Sequence, residues 1–496
     1  MAELETLVRA HFSVYQSAVR GDTVTFHLVI KPGSLEADFE ALRLALVPKG
    51  YIPFLAKEGG EHLLHIGRRP PRRFWSTKVN AVLLVVTIIT TVYAGGLSWA
   101  SYVGRPGLDA GSVANGALFF SLPLLAILGV HEMGHYVVSK RYKVNASLPF
   151  FIPSVPPLGT FGAMISMREP IPTRRALLDI GAAGPLAGLA VAVPVTLLGL
   201  FLTNLDPRPL GGNLGGTVLY HNSFLYDVLA FFIPVPEGAM RHPTLFAGWV
   251  GLFVTAMNLL PAGQLDGGHV ARALLGDRAK YASYAAVGLM FVLSFVGYPG
   301  WAIIALFILL LGLRHMPPLN DLVRLDKKRI LVGVVTSTVL VACFIPIPID
   351  SVSAADGLEF RMNDITGNVT VGYTVTAAAG TMENTTFALV NTGNVLQRVT
   401  LRIEPGFREP NKTNFLFTAI LFQGNLSQPL PFENESATFG LNTSEHVRVT
   451  ITALLPVNAS VGQEYSPTVV ATSVAIIGGD AQEAAPATLT IRFRIT

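Results

Sequence analysis

Five consecutive residues, His131-Glu132-Met133-Gly134-His135, follow an apolar run from Val113 to Val130 that carries no charged side chain. Histidines four apart share one face of a helix, and a carboxylate beside the first supplies a base. Together they are the minimum for binding a zinc ion and activating a water. Nine residues separate His131 from Lys140, the first cation after the run. That is roughly 13 Å of helix at ~1.5 Å per residue, which puts the pair inside a bilayer, near its inner edge. Two histidines merely hydrogen-bonded in a helix bundle are the plainer alternative.

A hydrolytic zinc site needs three protein ligands and one open position. The extension used by many soluble zinc proteases, His-Glu-x-x-His-x-x-Gly-x-x-His, is absent, because Val138 and Arg141 stand where its glycine and third histidine would be. The best candidate third ligand is Asp266, in the segment Asn258-Leu-Leu-Pro261-Ala-Gly-Gln-Leu265-Asp266-Gly267-Gly268-His269. Pro261 and Gly263 should break the preceding helix and let the chain bend back toward a cavity. An aspartate in a surface turn is the alternative reading, and His269 is a rival ligand.

These residues need elements to carry them. The chain has 496 residues, 51% hydrophobic and 14% charged, where a soluble domain carries about 25% charged. Spans of membrane-crossing length are expected near 79–99, 113–139, 177–203, 244–261, 281–297, 299–314 and 330–347. One set of connections holds Arg68, Arg69, Arg72, Arg73, Lys78, Lys140, Arg141, Lys143, Arg168, Arg174, Arg175, Arg272, Arg278, Lys280, Arg314, Arg324, Lys327, Lys328 and Arg329. The other holds only Arg105, Arg208 and Arg241. The positive side faces the cytoplasm, so the amino terminus is expected inside and the carboxyl terminus outside.

The expected architecture is a polytopic α-helical membrane protein of about seven spans (73–348) flanked by two water-facing domains. The first, 1–72, reads as a cytoplasmic α+β domain. It has strands around Phe12-Val14-Tyr15 and Val24-Phe26-Leu28-Ile30, and a helix opened by Pro32-Gly33-Ser34 with Leu35, Phe39, Leu42 and Leu46 on one face. A hairpin, Tyr51–Leu55 with His62–Ile66, turns through Gly59-Gly60. The second, 350–496, reads as an extracytoplasmic, Ig-like β-sandwich of short alternating strands. Seven of its eleven asparagines, Asn368, Asn384, Asn411, Asn425, Asn434, Asn442 and Asn458, open Asn-x-Ser/Thr sequons. Cys343 is the sole cysteine, which excludes an internal disulfide framework. No basic patch with interleaved aromatics points to nucleic acid. No cleavable signal is expected in Met1–Phe12, where Glu3, Glu5 and Arg9 interrupt any apolar stretch.

The combination of His131-Glu132-x-x-His135 with Asn258-x-x-Pro261-x-x-x-Leu265-Asp266-Gly267, and with Gly159-Thr160-Phe161-Gly162-Ala163 and Ala183-Gly184-Pro185-Leu186-Ala187-Gly188 between them, resembles the site-2 protease family of intramembrane zinc metalloproteases, particularly its prokaryotic and chloroplast branch. The likeness covers about residues 75–280. It implies zinc held by His131, His135 and Asp266, with Glu132 as general base, acting on membrane-spanning or membrane-anchored substrates within the bilayer of a cell membrane. A catalytically silent relative that binds or chaperones membrane proteins is the alternative. The resemblance also implies that Asn258 hydrogen-bonds the substrate carbonyl or its oxyanion, although a buried asparagine tying two helices together would look the same. Pro149–Met167 is too broken by proline and glycine to cross. It reads as a strand or re-entrant hairpin, with an amphipathic loop as the alternative, and in the family a comparable strand pairs with an unwound substrate segment. Gly184-Pro185 and Gly188 most simply permit close helix packing. Asp179 reads as a charge favourably placed on a helix dipole.

Overall fold

In the computed structural model the described residues are 2–31, 33–69, 76–105, 107–208, 218–236, 239–313, 317–351, 358–362, 373–404, 415–423, 426–430, 436–443, 445–477, 480–483 and 487–496. Pro32, Arg72, Arg73 and Arg314 lie outside them, as do the sequon asparagines Asn368, Asn411, Asn425 and Asn434. The chain divides into two units, one of 1–209 with 221–348 and one of 210–220 with 349–496.

The first unit opens with an α+β layer. Its strands β1 (Ser13–Arg20), β2 (Thr23–Val29), β3 (Tyr51–Glu58) and β4 (Glu61–Arg68) form one antiparallel sheet in the order β1-β2-β4-β3. Helices α1 (Ala2–Arg9) and α2 (Leu35–Leu46) cover one face. Phe39, Leu42 and Leu46 of α2 pack with Phe26, Leu28, Leu55, Leu64 and Ile66, as their spacing requires. Helix α1 was not expected. Leu4 and Val8 share one of its faces and join this core, and Glu3 and Glu5 open it while Arg9 closes it, favourable charges at both ends.

This layer is tied to the helical region through its backbone. The Leu55 amide at the β3 edge donates to Leu319 O at 2.7 Å, and Asn320 bridges in parallel to both Leu55 and Thr173. Arg43 of α2 is 1% exposed, and its guanidinium donates to the Tyr142 and Lys143 carbonyls at 3.1 and 3.4 Å and to Glu40 at 2.7 and 2.8 Å. It thereby caps the end of the helix that carries both histidines. Glu169 approaches the same guanidinium at 4.0 Å. Arg43→Ala would remove the donor from these part-buried acceptors. It should cost about 2 kcal/mol, read as a lower unfolding midpoint in detergent.

The helices that follow are α3 (Thr77–Tyr102), α4 (Ala110–Gly116), α5 (Leu122–Arg141), α6 (Arg174–Leu205), α7 (Phe224–Phe232), α8 (Pro243–Leu259), α9 (Asp266–Leu275), α10 (Ala279–Val296), α11 (Gly300–Leu311) and α12 (Lys327–Cys343). Among the described residues, four helical stretches are long and apolar enough to cross a membrane: Thr77–Tyr102, Ala110–Arg141, Arg174–Leu205 and Asp266–Val296. The chain is a multi-pass membrane protein. The segments expected to cross at 244–261, 299–314 and 330–347 form helices of 17, 12 and 17 residues. At ~1.5 Å per residue these are roughly 25, 18 and 25 Å long, short of a 30 Å hydrocarbon core. Helix ends follow local chemistry. Thr173 accepts from Ala176 N at 3.2 Å to open α6, and Asp326 accepts from Arg329 N at 2.8 Å to open α12.

Pro149–Met167 forms a hairpin, β5 (Phe150–Pro153) against β6 (Thr160–Met164). Asn80 and Thr90 of α3 hold it, donating to the Leu148 and Gly159 carbonyls at 2.9 and 2.7 Å. Among the described residues β6 pairs only with β5, and its Phe161 is 79% exposed.

The second unit is all β. A seven-stranded sheet built around 397–404, 468–477 and 487–495 and a five-stranded sheet built around 382–391, 415–423 and 446–454 share one apolar core. Val399, Leu401, Val469 and Phe493 from the first meet Phe387, Leu389, Val447 and Ile451 from the second. Of its described sequon asparagines, Asn384 and Asn458 are exposed, whereas the Asn442 side-chain amide donates to Glu445 at 3.1 Å.

Candidate metal centre

Helix α5 buries the face defined by Leu124, Ile127, Leu128, His131 and His135, so both imidazoles point into protein. After α8 the chain stops being helical at Leu260, turns through Gly263 at φ +54°, and starts again at Asp266. Asp266 therefore occupies the first turn of α9, where the helix dipole favours a carboxylate. The reversal works only because residue 267 is glycine. A Cβ there would lie 1.9 Å from the Leu259 carbonyl oxygen.

Three donor atoms converge from these two elements. His131 Nε2 and His135 Nε2 are 3.2 Å apart, and Asp266 Oδ2 lies 3.3 Å from the first and 3.2 Å from the second. A tetrahedral zinc ion bound at about 2.0–2.1 Å keeps its donors roughly 3.3 Å apart. The three atoms thus already stand at the edge lengths of such a site, and among the described residues this is the only His/Cys/Asp/Glu group able to hold a metal ion. His269, the rival ligand, is outside the group; its Cβ is packed where α9 meets Gly181 of α6.

The surroundings prepare the donors. His135 Nδ1–H donates to the Ile180 carbonyl at 2.7 Å, which fixes the tautomer and leaves the Nε2 lone pair facing the group. Glu132 is 5% exposed, with a carboxylate oxygen 3.9 Å from His131 Nε2. The backbone of Ile165, just after β6, hydrogen-bonds that carboxylate. Asn258 Nδ2 of α8 sits 3.3 Å from His131 Nε2 of α5, at the rim of the group, where it also links the two helices.

Gly184 and Gly188 are more than packing residues. Both lie on α6 against the histidines: a Cβ on Gly184 would fall 2.0 Å from His135 Nε2, and one on Gly188 would fall 3.1 Å from His131 Cβ. Sequence reasoning noticed their spacing but had no way to see which neighbour they admit. Asp179 has partners that its spacing does not show. Besides its place near the start of α6, it accepts from the Tyr142 hydroxyl at 2.5 Å and from Arg329 Nε at 2.9 Å, joining the ends of α5, α6 and α12. Burial first, then the bond to Asp179, pushes the Tyr142 hydroxyl up to about 12, so it stays a donor throughout the physiological range.

Residues 119–297 match the model of peptidase family M50. The matched segment contains all of His131, Glu132, His135, Asn258 and Asp266. The chain is 34% identical over 191 residues to probable zinc metalloprotease EGY2, chloroplastic, of Arabidopsis thaliana, covering 37% of this chain and 34% of that one. It is 32% identical over 225 residues to probable zinc metalloprotease EGY1, chloroplastic, of the same plant, covering 44% and 41%. A rice protein of the latter name is 30% identical over 247 residues, covering 44% and 42%. The chain thus spans less than half the length of these relatives.

Asp266→Ala removes one of the three converging donors. Zinc affinity should fall by at least about a hundredfold, more than the 10–100-fold typical of losing a supporting group one shell out. Competition with a fluorescent chelator measures it; full-affinity zinc in Asp266→Ala would remove Asp266 from the ligand set.

Proposed function

We propose that this chain is a zinc-dependent endopeptidase that hydrolyses peptide bonds of membrane-spanning or membrane-anchored proteins within the bilayer, as in regulated intramembrane proteolysis. The observation that carries the reading is the trio of donor atoms at tetrahedral spacing beside a buried glutamate, on a helix apolar enough to cross a membrane. His131, His135 and Asp266 would hold the metal; zinc, when bound, supplies the Lewis acidity that makes water a nucleophile near neutral pH. Glu132 takes the proton from that water on its carboxylate and returns it to the leaving amide nitrogen. Asn258 Nδ2–H donates to the oxygen of the scissile carbonyl as charge develops there. The open edge of β6 receives the substrate as an extended strand, since a peptide bond inside a helix is shielded by its own hydrogen bonds.

The same reading carries the finer architecture: a cytoplasmic domain over 1–72, a membrane domain over 73–348 with seven crossings, the shorter helices included, and an extracytoplasmic β-sandwich over 350–496. The lysine and arginine asymmetry supports that orientation. The test is cleavage of a single-span substrate by full-length protein in liposomes before and after metal removal. Chelation should abolish cleavage and added zinc should restore it. Unchanged cleavage by metal-free protein would refute the reading.

A further inference from the structure

The junction of α9 and α10 borders a half-open pocket of about 300 Å³, whose lining includes Arg272, Asp277, Lys280 and Ser283. Arg272 is 5% exposed. Its Nη2 donates to Asp321 at 2.9 Å and pairs with Asp277 at 3.1 Å, but its Nη1 is buried with no hydrogen-bond acceptor among the described residues. A buried guanidinium N–H without an acceptor is costly and calls for an anionic oxygen. Charge points the same way. Asp321 is shared between Arg272 and Arg174, the latter at 3.8 Å, and the Asp277 side chain is 90% exposed, so water screens its pairing with Arg272. The cluster of Arg174, Arg272 and Lys280 against Asp277 and Asp321 keeps one surplus positive charge. The chain turns at Gly276, φ +61°, between the end of α9 and the start of α10.

The surface running away from the pocket has the chemistry of a membrane edge. Tyr281 and Tyr284 are exposed on the first turns of α10, and Lys280 Nζ stands 5.0 Å over the Tyr281 ring. Farther along the helix Leu289, Val292 and Phe295 are exposed in turn. Interfacial aromatics above an apolar stripe match headgroups above acyl chains.

We propose that this pocket binds a phosphate group, supplied in the membrane by the headgroup of an anionic phospholipid whose chains lie along the exposed stripe of α10. The site does not depend on the proteolytic reading. Native mass spectrometry of the full-length protein, exchanged between phosphatidylcholine and phosphatidylglycerol, tests it. Wild type should retain phosphatidylglycerol preferentially, and Lys280→Ala, which leaves the Arg272–Asp321 pair intact, should lower that affinity about fivefold, with Arg272→Gln lowering it at least as much. A parallel arm titrates inorganic phosphate against thermal stability in neutral detergent. Saturable stabilisation of wild type but not of Lys280→Ala, with no lipid preference, would assign the site to the free ion. Equal behaviour of wild type and both variants toward lipid and phosphate would overturn the proposal.

Discussion

Glu132→Gln is expected to bind zinc like the wild type and to lose cleavage of a membrane substrate by at least about a hundredfold, the scale of a lost general acid–base. The amide is isosteric, so the buried site keeps its shape and the Ile165 contact keeps an acceptor oxygen. What disappears is the ability to carry a proton between water and the leaving nitrogen. The separation from the ligands is what makes the substitution informative: the carboxylate stands 3.9 Å from His131 Nε2, while the donor atoms stand 3.2–3.3 Å from one another. Metal content by atomic emission and single-turnover cleavage, measured on the same preparation, separate the two effects. Wild-type cleavage by Glu132→Gln would eliminate the assigned role.

Gly184→Ala is expected to disable the site without touching a ligand. The new methyl would fall 2.0, 2.4 and 2.5 Å from three atoms of the His135 ring. The ring cannot simply turn away, because its Nδ1–H is held by the Ile180 carbonyl. Nor can α5 easily back off α6, since Gly134 is seated against the Ala183 carbonyl, where even a Cβ would come within 2.6 Å. Overpacking of this kind costs about 1–3 kcal/mol of stability. The larger consequence is a displaced Nε2, so zinc affinity should fall by about a hundredfold, the upper end for a disturbed supporting shell. Gly188→Ala makes the graded control. Its nearest contact, 3.1 Å from His131 Cβ, requires a shift of only a few tenths of an ångström, and most of the zinc affinity should survive. Equal zinc affinity in the two variants would show that the α6 contact does not position the imidazoles.

The first domain adds a physical dependency that its own sequence does not announce. Its β3 edge is completed by Leu319 and Asn320, and its Arg43 closes the carbonyl end of α5. The helix bearing the histidines is thus held at its far end by a residue 99 positions earlier. Local patterns made the parts legible: Phe39, Leu42 and Leu46 marked one helix face, and Gly59-Gly60 marked the hairpin turn. The docking was not legible, because a lone arginine on an otherwise ordinary helix looks the same whether it faces water or a helix end.

The sequence by itself determined the candidate donor types and the helical geometry of two of them. Spacing of four along an apolar helix allows little else, and the proline and glycines around residues 261–268 fix a chain reversal wherever that segment sits. It also determined that the chain enters a membrane, since so few charges over so many apolar residues have no soluble solution. Tertiary structure alone decided that Asp266, 135 residues from His131, comes within 3.3 Å of it, that Asn258 reaches the rim, and that two glycines of α6 make room for the imidazoles. These facts depend on how separate helices pack, and packing is set by the shapes of distant surfaces, which no local run of residues encodes.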